Sequence, residues 1–447
     1  MLFKIAFRNI LRNGRRTLMT CGAIAVSAIA VMLFGEYQQF IAKGVETGVV
    51  ARVGHLTIYH EGYFDFGAGN PGGYSISGYQ KVMDLIKNDS ALKPMLRVVT
   101  PQVSMFGIAG SSETDTSKTF MGIGVVPSDR EKMIHWDDYH FYDSLPRSVP
   151  RQFHFGLNDK KTDEGLIGTG LGRSLGLCGH FARGDCGKYA TDGSLKALPA
   201  RAPQLNLLAA SAGTPNIVRL KVTELHQQGF KDIDDMYVGM HIALAQQLLY
   251  GNEEHKAVAI VVQLLHTADL DKARARLNAL FKEHHLDLEV RDFTEIQPAY
   301  NQITGLFNAI FAFISVILTV IVLFTVVNTM SMSVMERVNE IGTIRAMGVR
   351  RSGVRRQFLV EGLLLGIIGA TAGVALGTGG GIWFNNMGLT WHPPGQAAEV
   401  PLLVRTNGIL ALQLSVWAAL VVMAALAVLF PANRAARMKV VDALRHV

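Results

Sequence analysis

The apolar positions of this chain gather into four runs. Leu18 to Phe34 carries no charge, and from Ile296 to Met335 there are 40 residues without Asp, Glu, Lys or Arg. Gly362 to Ala398 gives another 37 such residues and Thr406 to Asn433 another 28. A helix needs about 20 apolar residues to cross roughly 30 Å of hydrocarbon. The runs therefore predict four membrane-crossing helices over 17–40, 301–334, 357–384 and 408–431. Buried helices of a large soluble core seldom stay uncharged for this long. The third run is rich in glycine (Gly366, Gly369, Gly373, Gly377 and Gly379 to Gly381), and small residues let membrane helices approach closely.

Between the first two runs the pattern changes. Strand-like stretches occur at Gly54–Tyr59, Arg97–Thr100, Phe120–Val126, Ile217–Val222 and Ala257–Val262. Helical spacing appears at Tyr79–Lys87, Ile242–Leu249 and Leu270–Phe281. Strands interleaved with helices predict a large α+β domain over 41–300, with an inserted β-rich lobe at about 135–225, where Gly, Pro and turn signals concentrate. Gly67–Gly78 reads as a mobile surface loop. The first 16 residues read as a short amphipathic helix. Phe3, Phe7, Ile10 and Leu11 recur on one face and Lys4, Arg8, Arg12 and Arg15 on another, suited to lie among anionic lipid headgroups. A cleaved signal peptide is the alternative for this basic start and apolar run, but it would leave these residues without a role.

Composition agrees: of the 447 residues 49% are hydrophobic and 18% charged, against about 25% charged in a soluble domain. Disorder and a disulfide scaffold are excluded, the latter because only three cysteines are present. The net charge of +7 does not point to nucleic acid, because of where it lies. Residues 1–16, the loop Glu336–Arg356 and the tail after Asn433 together hold 15 basic and 3 acidic residues, whereas 41–300 holds 27 basic and 30 acidic. Positive loops stay in the cytoplasm. Both termini and the 335–356 loop are thus expected inside, with 41–300 and the 385–407 loop outside, and 432–447 forming a cytoplasmic tail.

Candidate chemistry is sparse. Gly187-Lys188 is followed by Tyr189, so a phosphate-binding P-loop lacks its hydroxyl. Gly168-Thr169-Gly170-Leu171-Gly172 resembles a dinucleotide fingerprint with the wrong last spacing and reads as a turn before a short helix. The cluster His135, Asp137, Asp138 and His140 could hold a metal, but on a Trp- and Tyr-rich stretch it reads as surface and packing; His284-His285 reads as an exposed helix end. No catalytic residue, bound cofactor or metal is expected. Cys178 and Cys186 lie eight positions apart. An oxidising compartment permits a disulfide there; two unpaired thiols are the alternative. Glu361, one turn into the third span, is the ionisable residue that stands out in the membrane, either snorkelling, pairing with Arg355 or Arg356, or serving transport.

Met335–Gly348 reads M-E-R-V-N-E-I-G-T-I-R-A-M-G, after V-N-T-M-S-M-S-V at the end of the second span. This resembles the permease domain of the FtsX-like family, the membrane half of MacB-type (type VII) ABC transporters. Glu336, Arg337, Glu340, Ile341, Gly342, Arg345, Ala346 and Gly348 match its pattern E-R-x-x-E-I-G-x-x-R-A-x-G. The tail P-A-N-R-A-A-R-M-K-V-V-D-A-L-R is similar through Pro431, Arg434, Ala435, Ala436, Arg437, Ala443, Leu444 and Arg445, with Val440 near the family's proline. The start A-F-R-N-I-L-R-N-G-R-R-T-L also fits. More weakly, E-G-L-I-G-T-G-L-G-R-S-L-G-L, D-I-D-D-M-Y-V at Asp232–Val238 and A-V-A-I-V-V-Q-L at Ala257–Leu264 resemble the family's extracytoplasmic domain, a porter-like lobe with an inserted β-rich lobe. The Cys178–Cys186 region departs from that pattern by insertion.

The resemblance implies a permease of the bacterial inner membrane that binds no cofactor itself. ATP and Mg would sit on a partner ATPase in the cytoplasm, docked by a short helix over Glu336–Met347. A second permease, identical or paralogous, would complete a dimer among the membrane lipids. Spans one and two, extended by the stalk segments Glu36–Val49 and Asp292–Thr304, would carry movement outward without passing substrate through the bilayer, a mechanism called mechanotransmission. Length and outer domain most resemble the lipoprotein-releasing LolC/LolE permeases, which hand their cargo to a periplasmic carrier. MacB-like tripartite efflux with a periplasmic adaptor, or FtsX-like activation of a wall hydrolase, are the alternatives.

Overall fold

The computed structural model describes residues 2–12, 14–67, 69–145, 154–181, 186, 194–198, 202–209, 215–251, 253–391, 400–406, 408–438 and 440. Along the chain run α1 (Leu2–Arg12), α2 (Gly14–Val53), β1 (Leu56–His60), α3 (Tyr79–Asn88), β2 (Leu96–Ser111), β3 (Thr116–Val125) and α4 (Pro127–Ile134). Next come β4 (Glu164–Gly168), α5 (Thr169–Ser174), β5 (Ser194–Lys196), β6 (Gln204–Ala209), β7 (Asn216–His226), α6 (Lys231–Asp234), β8 (Tyr237–His241) and α7 (Ile242–Tyr250). The series ends with β9 (Ala259–Leu264), α8 (Leu270–Glu283), β10 (Leu288–Asp292), α9 (Phe293–Ile296), α10 (Pro298–Glu336), α11 (Val338–Ala346), α12 (Arg351–Asn385), β11 (Thr390–Trp391), β12 (Val400–Pro401) and α13 (Leu410–Arg437).

Two compact units result. The helical unit comprises 1–42, 302–389 and 402–447; the α+β unit comprises 43–301 with 390–401. Helices α2, α10, α12 and α13 are each long and apolar enough to cross a membrane. In the helical unit the glycines of α12 set the packing. A Cβ on Gly366 would lie 2.8 Å from the Ala424 Cβ of α13, and one on Gly369 would lie 2.8 Å from the Ile24 Cβ of α2. One face of α12 thus meets α13 and the next meets α2, at distances that leave no room for a side chain. Helix α10 buries Val322, Val326, Met330 and Val334 at helical spacing. Its other face leaves Phe313, Val316 and Phe324 exposed, an apolar surface that suits hydrocarbon or another helix.

Among the described residues of the α+β unit, ten strands form one sheet. Its first part, β10-β1-β9-β2, is antiparallel. All six residues of β9 are buried, which is why Ala259–Val262 reads as an apolar run; the buried Gln263 that follows donates to the Val50 and Met133 carbonyls. Helix α8 covers this part with Ala273, Leu277, Leu280 and Phe281, spaced along one stripe, against Leu56, Ile58 and Ile260.

The 16-residue β2 then serves a second assembly. Its outer half pairs with β3 and with β6, and the path β2-β3-β8-β4-β7-β6 returns to β2. These six strands close a ring without a free edge. Leu205 and Leu207 of β6 and Leu220 and Val222 of β7 point into its core beside Ile167, Val238 and Leu248.

The inserted lobe expected at 135–225 is drawn too narrowly. The ring recruits β2, β3 and β8 from outside those limits, because a closed ring needs strands that alternation alone does not assign to it. The Gly67–Gly78 segment is also fastened down: Ser75 shares a hydrogen bond with the Tyr250 hydroxyl at 2.6 Å, and Ile76 bridges to Ala257.

Candidate functional site

The site is the turn between α10 and α12. Helix α10 ends at Glu336, Arg337 breaks the helix, and α11 runs to Ala346. Gly348 then adopts φ +95°, while its N–H and that of Val349 bond back to the carbonyls of Arg345 and Ile344. This left-handed residue after a helix is cheap only for glycine, which explains the residue at that position.

Each predicted site residue has a definite place. Arg337 is 5% exposed. Its Nη1 donates to both carboxylate oxygens of Glu361, at 3.0 and 3.3 Å. Glu361 also accepts from Asn9 Nδ2 of α1 at 2.6 Å. Glu361 therefore neither snorkels nor pairs with Arg355 or Arg356, as the sequence suggested; a cation at the end of the preceding helix reaches it first. Arg337 and Glu361 line a cavity of about 30 Å³ with Asn9, Arg16 and Thr329, room enough for water.

Glu336 pairs with Arg16, and Glu340 with Arg12 at 3.0 Å. Ile341 and Gly342 are buried against the bundle. Arg345 Nη1 donates to the Ala436 carbonyl at 2.6 Å, at the end of α13, where a cation is favoured. Ala346, Met347 and Gly348 face outward, with Met347 72% exposed. The three family-like segments, at the start, the loop and the tail, thus meet in one place. Pro431, Arg434, Ala435, Ala436 and Arg437 lie in the last turns of α13; Lys439, Asp442, Ala443, Leu444 and Arg445 lie outside the described residues.

Elsewhere, Cys178 and Cys186 are joined in a disulfide with their Cα atoms 5.3 Å apart. The Gly168–Gly172 stretch is not a turn before a helix but the first part of α5 itself, and its first amides are taken: Thr169 and Gly170 donate to the Asp234 carboxylate at 3.1 and 2.7 Å. Burial outweighs these bonds and leaves the Asp234 carboxyl above its usual range. Gly187, Lys188 and Tyr189 lie outside the described residues.

Among the described residues no group of three or more His, Cys, Asp or Glu is placed to hold a metal. The 135–140 cluster is divided instead. His135 meets Glu131, Asp138 meets His266, and Asp137 accepts the amides of Phe141 and Tyr142. Burial pushes the Glu131 carboxyl up, but bonds from the Phe155 amide, His154 and His135 leave it below the ordinary value. His284 and His285 are exposed at the end of α8.

Four helices long and apolar enough to cross a membrane, together with a separate α+β unit, are the features of a polytopic membrane protein. Residues 312–440, from α10 into the tail, match the FtsX-like permease C-terminal family. It is similar to the macrolide export ATP-binding/permease protein MacB of Rhodopseudomonas palustris, 30% identical over 37% of this chain and 25% of that protein. The lipoprotein-releasing system transmembrane protein LolC of Neisseria meningitidis is 24% identical over 57% of this chain and 54% of its own length. The chain thus spans between a quarter and about half of these curated relatives. The periplasmic region of MacB from Actinobacillus actinomycetemcomitans overlays with a TM-score of 0.31 at 11% identity, over 55% of this chain and 92% of that one.

Proposed function

We propose that this chain is the permease subunit of an ABC transporter of the bacterial inner membrane. It works as a dimer with a separate cytoplasmic ATPase and passes the ATPase's movement outward by mechanotransmission, to release lipoproteins from the membrane. Both termini and the 335–356 loop face the cytoplasm, in keeping with their positive charge. The α+β unit faces the periplasm, where the Cys178–Cys186 bridge would persist.

The observation that carries this reading is the length of two helices. Helix α2 has 40 residues and α10 has 39. At 1.5 Å per residue each is about 60 Å long, roughly twice the hydrocarbon thickness. Such helices can act as rods continuing beyond the bilayer. The turn that ends α10 presents Ala346, Met347 and Gly348 as the contact for the ATPase. Arg345 ties that turn to the end of α13, and Glu336 and Glu340, half-exposed beside Arg16 and Arg12, flank the proposed contact. The FtsX-like domain and the LolC similarity support the permease subunit, and no G-x-x-x-x-G-K-[ST] run occurs in the sequence.

The test is affinity capture of the tagged full chain from native membranes, with partner identification and an ATPase assay. An ATPase recovered with wild type and lost, by about tenfold or more, with Met347→Asp supports the reading. A capture without an ATPase from folded protein overturns it. Lipoproteins that leave the inner membrane normally after depletion would remove the cargo assignment, and an adaptor in the complex would replace it with efflux.

A further inference from the structure

The α+β unit holds a cavity of about 330 Å³ between the last turns of α2, the helix α4 and the turn after β7. Arg52 and Arg130 both line it, and among the described residues none in the lining is acidic. Arg130 is 7% exposed. Its Nη1 donates to the Arg52 carbonyl at 2.5 Å, and its Nε has no partner among the described residues. The guanidinium lies 5.9 Å from the centre of the Phe155 ring. Arg52 donates through Nε to the Gly48 carbonyl at 3.3 Å. Gln227, also in the lining, has a buried Nε2 without a partner among the described residues.

Nothing described nearby neutralises these charges. Glu131 is held by His135, His154 and the Phe155 amide, and Glu224 by His226 at 2.8 Å. Burial keeps the Tyr237 phenol neutral by raising it, even with both arginines close. Burial also lowers both guanidiniums, and the charge of Arg52 lowers Arg130 further. A buried cation without a counter-charge is costly, so the buried Arg130, with the half-buried Arg52 beside it at an open cavity, calls for an anion. Ile134, Phe155 and Leu166 supply an apolar wall, and the volume falls at the small end of ligand sites.

We propose that this cavity binds a small amphiphilic anion, a phosphoryl or carboxyl group on an apolar body. The oxyanion sits between Arg52, Arg130 and the Gln227 amide, and the apolar part lies against Phe155 and Ile134. Bound there, the anion ties the end of α2 to α4 and to the turn after β7. The proposal does not depend on the ATPase partner.

Phenylphosphonate is the probe, titrated by calorimetry into the full chain in phosphatidylcholine nanodiscs. Saturable binding to wild type is expected, weakened about tenfold or more in Arg52→Gln and Arg130→Gln, as for lost bonds to charged groups. Ile134→Trp keeps both charges but fills the cavity, and should abolish binding while helical content stays unchanged. Phosphatidic acid added to the disc separates two sources. Displacement of the probe identifies a lipid headgroup as the ligand, and its absence identifies a free molecule. No saturation below about 10 mM, or binding by Ile134→Trp equal to wild type, overturns the proposal.

Discussion

Arg337 in the helical unit and Arg130 in the α+β unit are almost equally buried, at 5% and 7% exposure, yet their surroundings differ. Arg337 grips a carboxylate that is itself held by Asn9, so α1, the α10–α11 turn and α12 meet on one neutral cluster. Arg130 meets a carbonyl, an aromatic ring and an open cavity. The first arrangement is closed: charge is cancelled within the chain and the product is a fixed junction between helices. The second is open: charge is left for something else to cancel. Equal burial therefore says little about the role of an arginine until its counter-charge has been located.

Breaking the closed arrangement should give the largest effect. Glu361→Ala strands a buried guanidinium, and removal of one partner of such a pair costs about 3–5 kcal/mol. Replacing both, as Arg337→Met with Glu361→Leu, should restore stability to near or above wild type, because the desolvation cost of both charges disappears. Unfolding by dodecyl sulfate in mixed micelles measures each. A double variant as unstable as the single one would show that the cluster does not work by charge cancellation.

The two arrangements were unequally legible in the sequence. The four spans follow from uncharged runs, and the loop and tail motifs from their residue types, because those signals are local. Glu361 stood out as an acid inside an apolar run, but its partner is 24 positions away across a helix break, so the neighbouring Arg355 and Arg356 looked equally suitable. Asn9 lies within the start motif, but nothing there names its partner: only folding brings α1 beside α12. Arg130 looks like an ordinary surface charge, as does the half-buried Arg52, since nothing within a few residues marks either as turned inward. The strand ring was hidden likewise, because β2 changes partners midway while its apolar alternation continues. Contacts between distant segments decide each of these features, and periodicity carries no record of them.

His55 sharpens the comparison with a third solution, a buried base that simply stays neutral. It is fully buried at the start of β1. Its Nδ1 accepts the Leu264 amide at 3.0 Å, so the ring proton sits on Nε2, toward the Thr267 hydroxyl at 3.1 Å. Burial outweighs the pull of Asp138 and takes the imidazole from its ordinary 6.5 down to about 3. Between these two values the unfolded chain binds a proton that the folded chain refuses. The stability His55 contributes is complete above about pH 6.5 and falls as the pH drops toward 3. The expected result is a loss of α+β-unit stability from pH 7 to pH 4, followed by hydrogen exchange. His55→Asn should be weaker at pH 7 but lose less across that window; an unchanged slope would assign the acid sensitivity to other groups. Arginine has no such release, which is why Arg337 needs Glu361 and Arg130 needs a ligand.

The smallest effect belongs to an arginine that is paired but not buried. Arg12 and Glu340 touch at 3.0 Å with side chains 54% and 53% exposed. Water already solvates both groups, so their union gains little and salt screens what remains. Arg12→Gln should lower stability by no more than about 1 kcal/mol, and the difference should vanish at about 1 M salt, where the Debye length is near 3 Å. Glu361→Ala, measured side by side, should keep its full cost at that ionic strength, since the stranded guanidinium is shielded from solvent and ions alike. If both variants respond equally to salt, the Arg337–Glu361 cluster is open to water, and the contrast with the Arg130 cavity rests on accessibility rather than on a missing counter-charge.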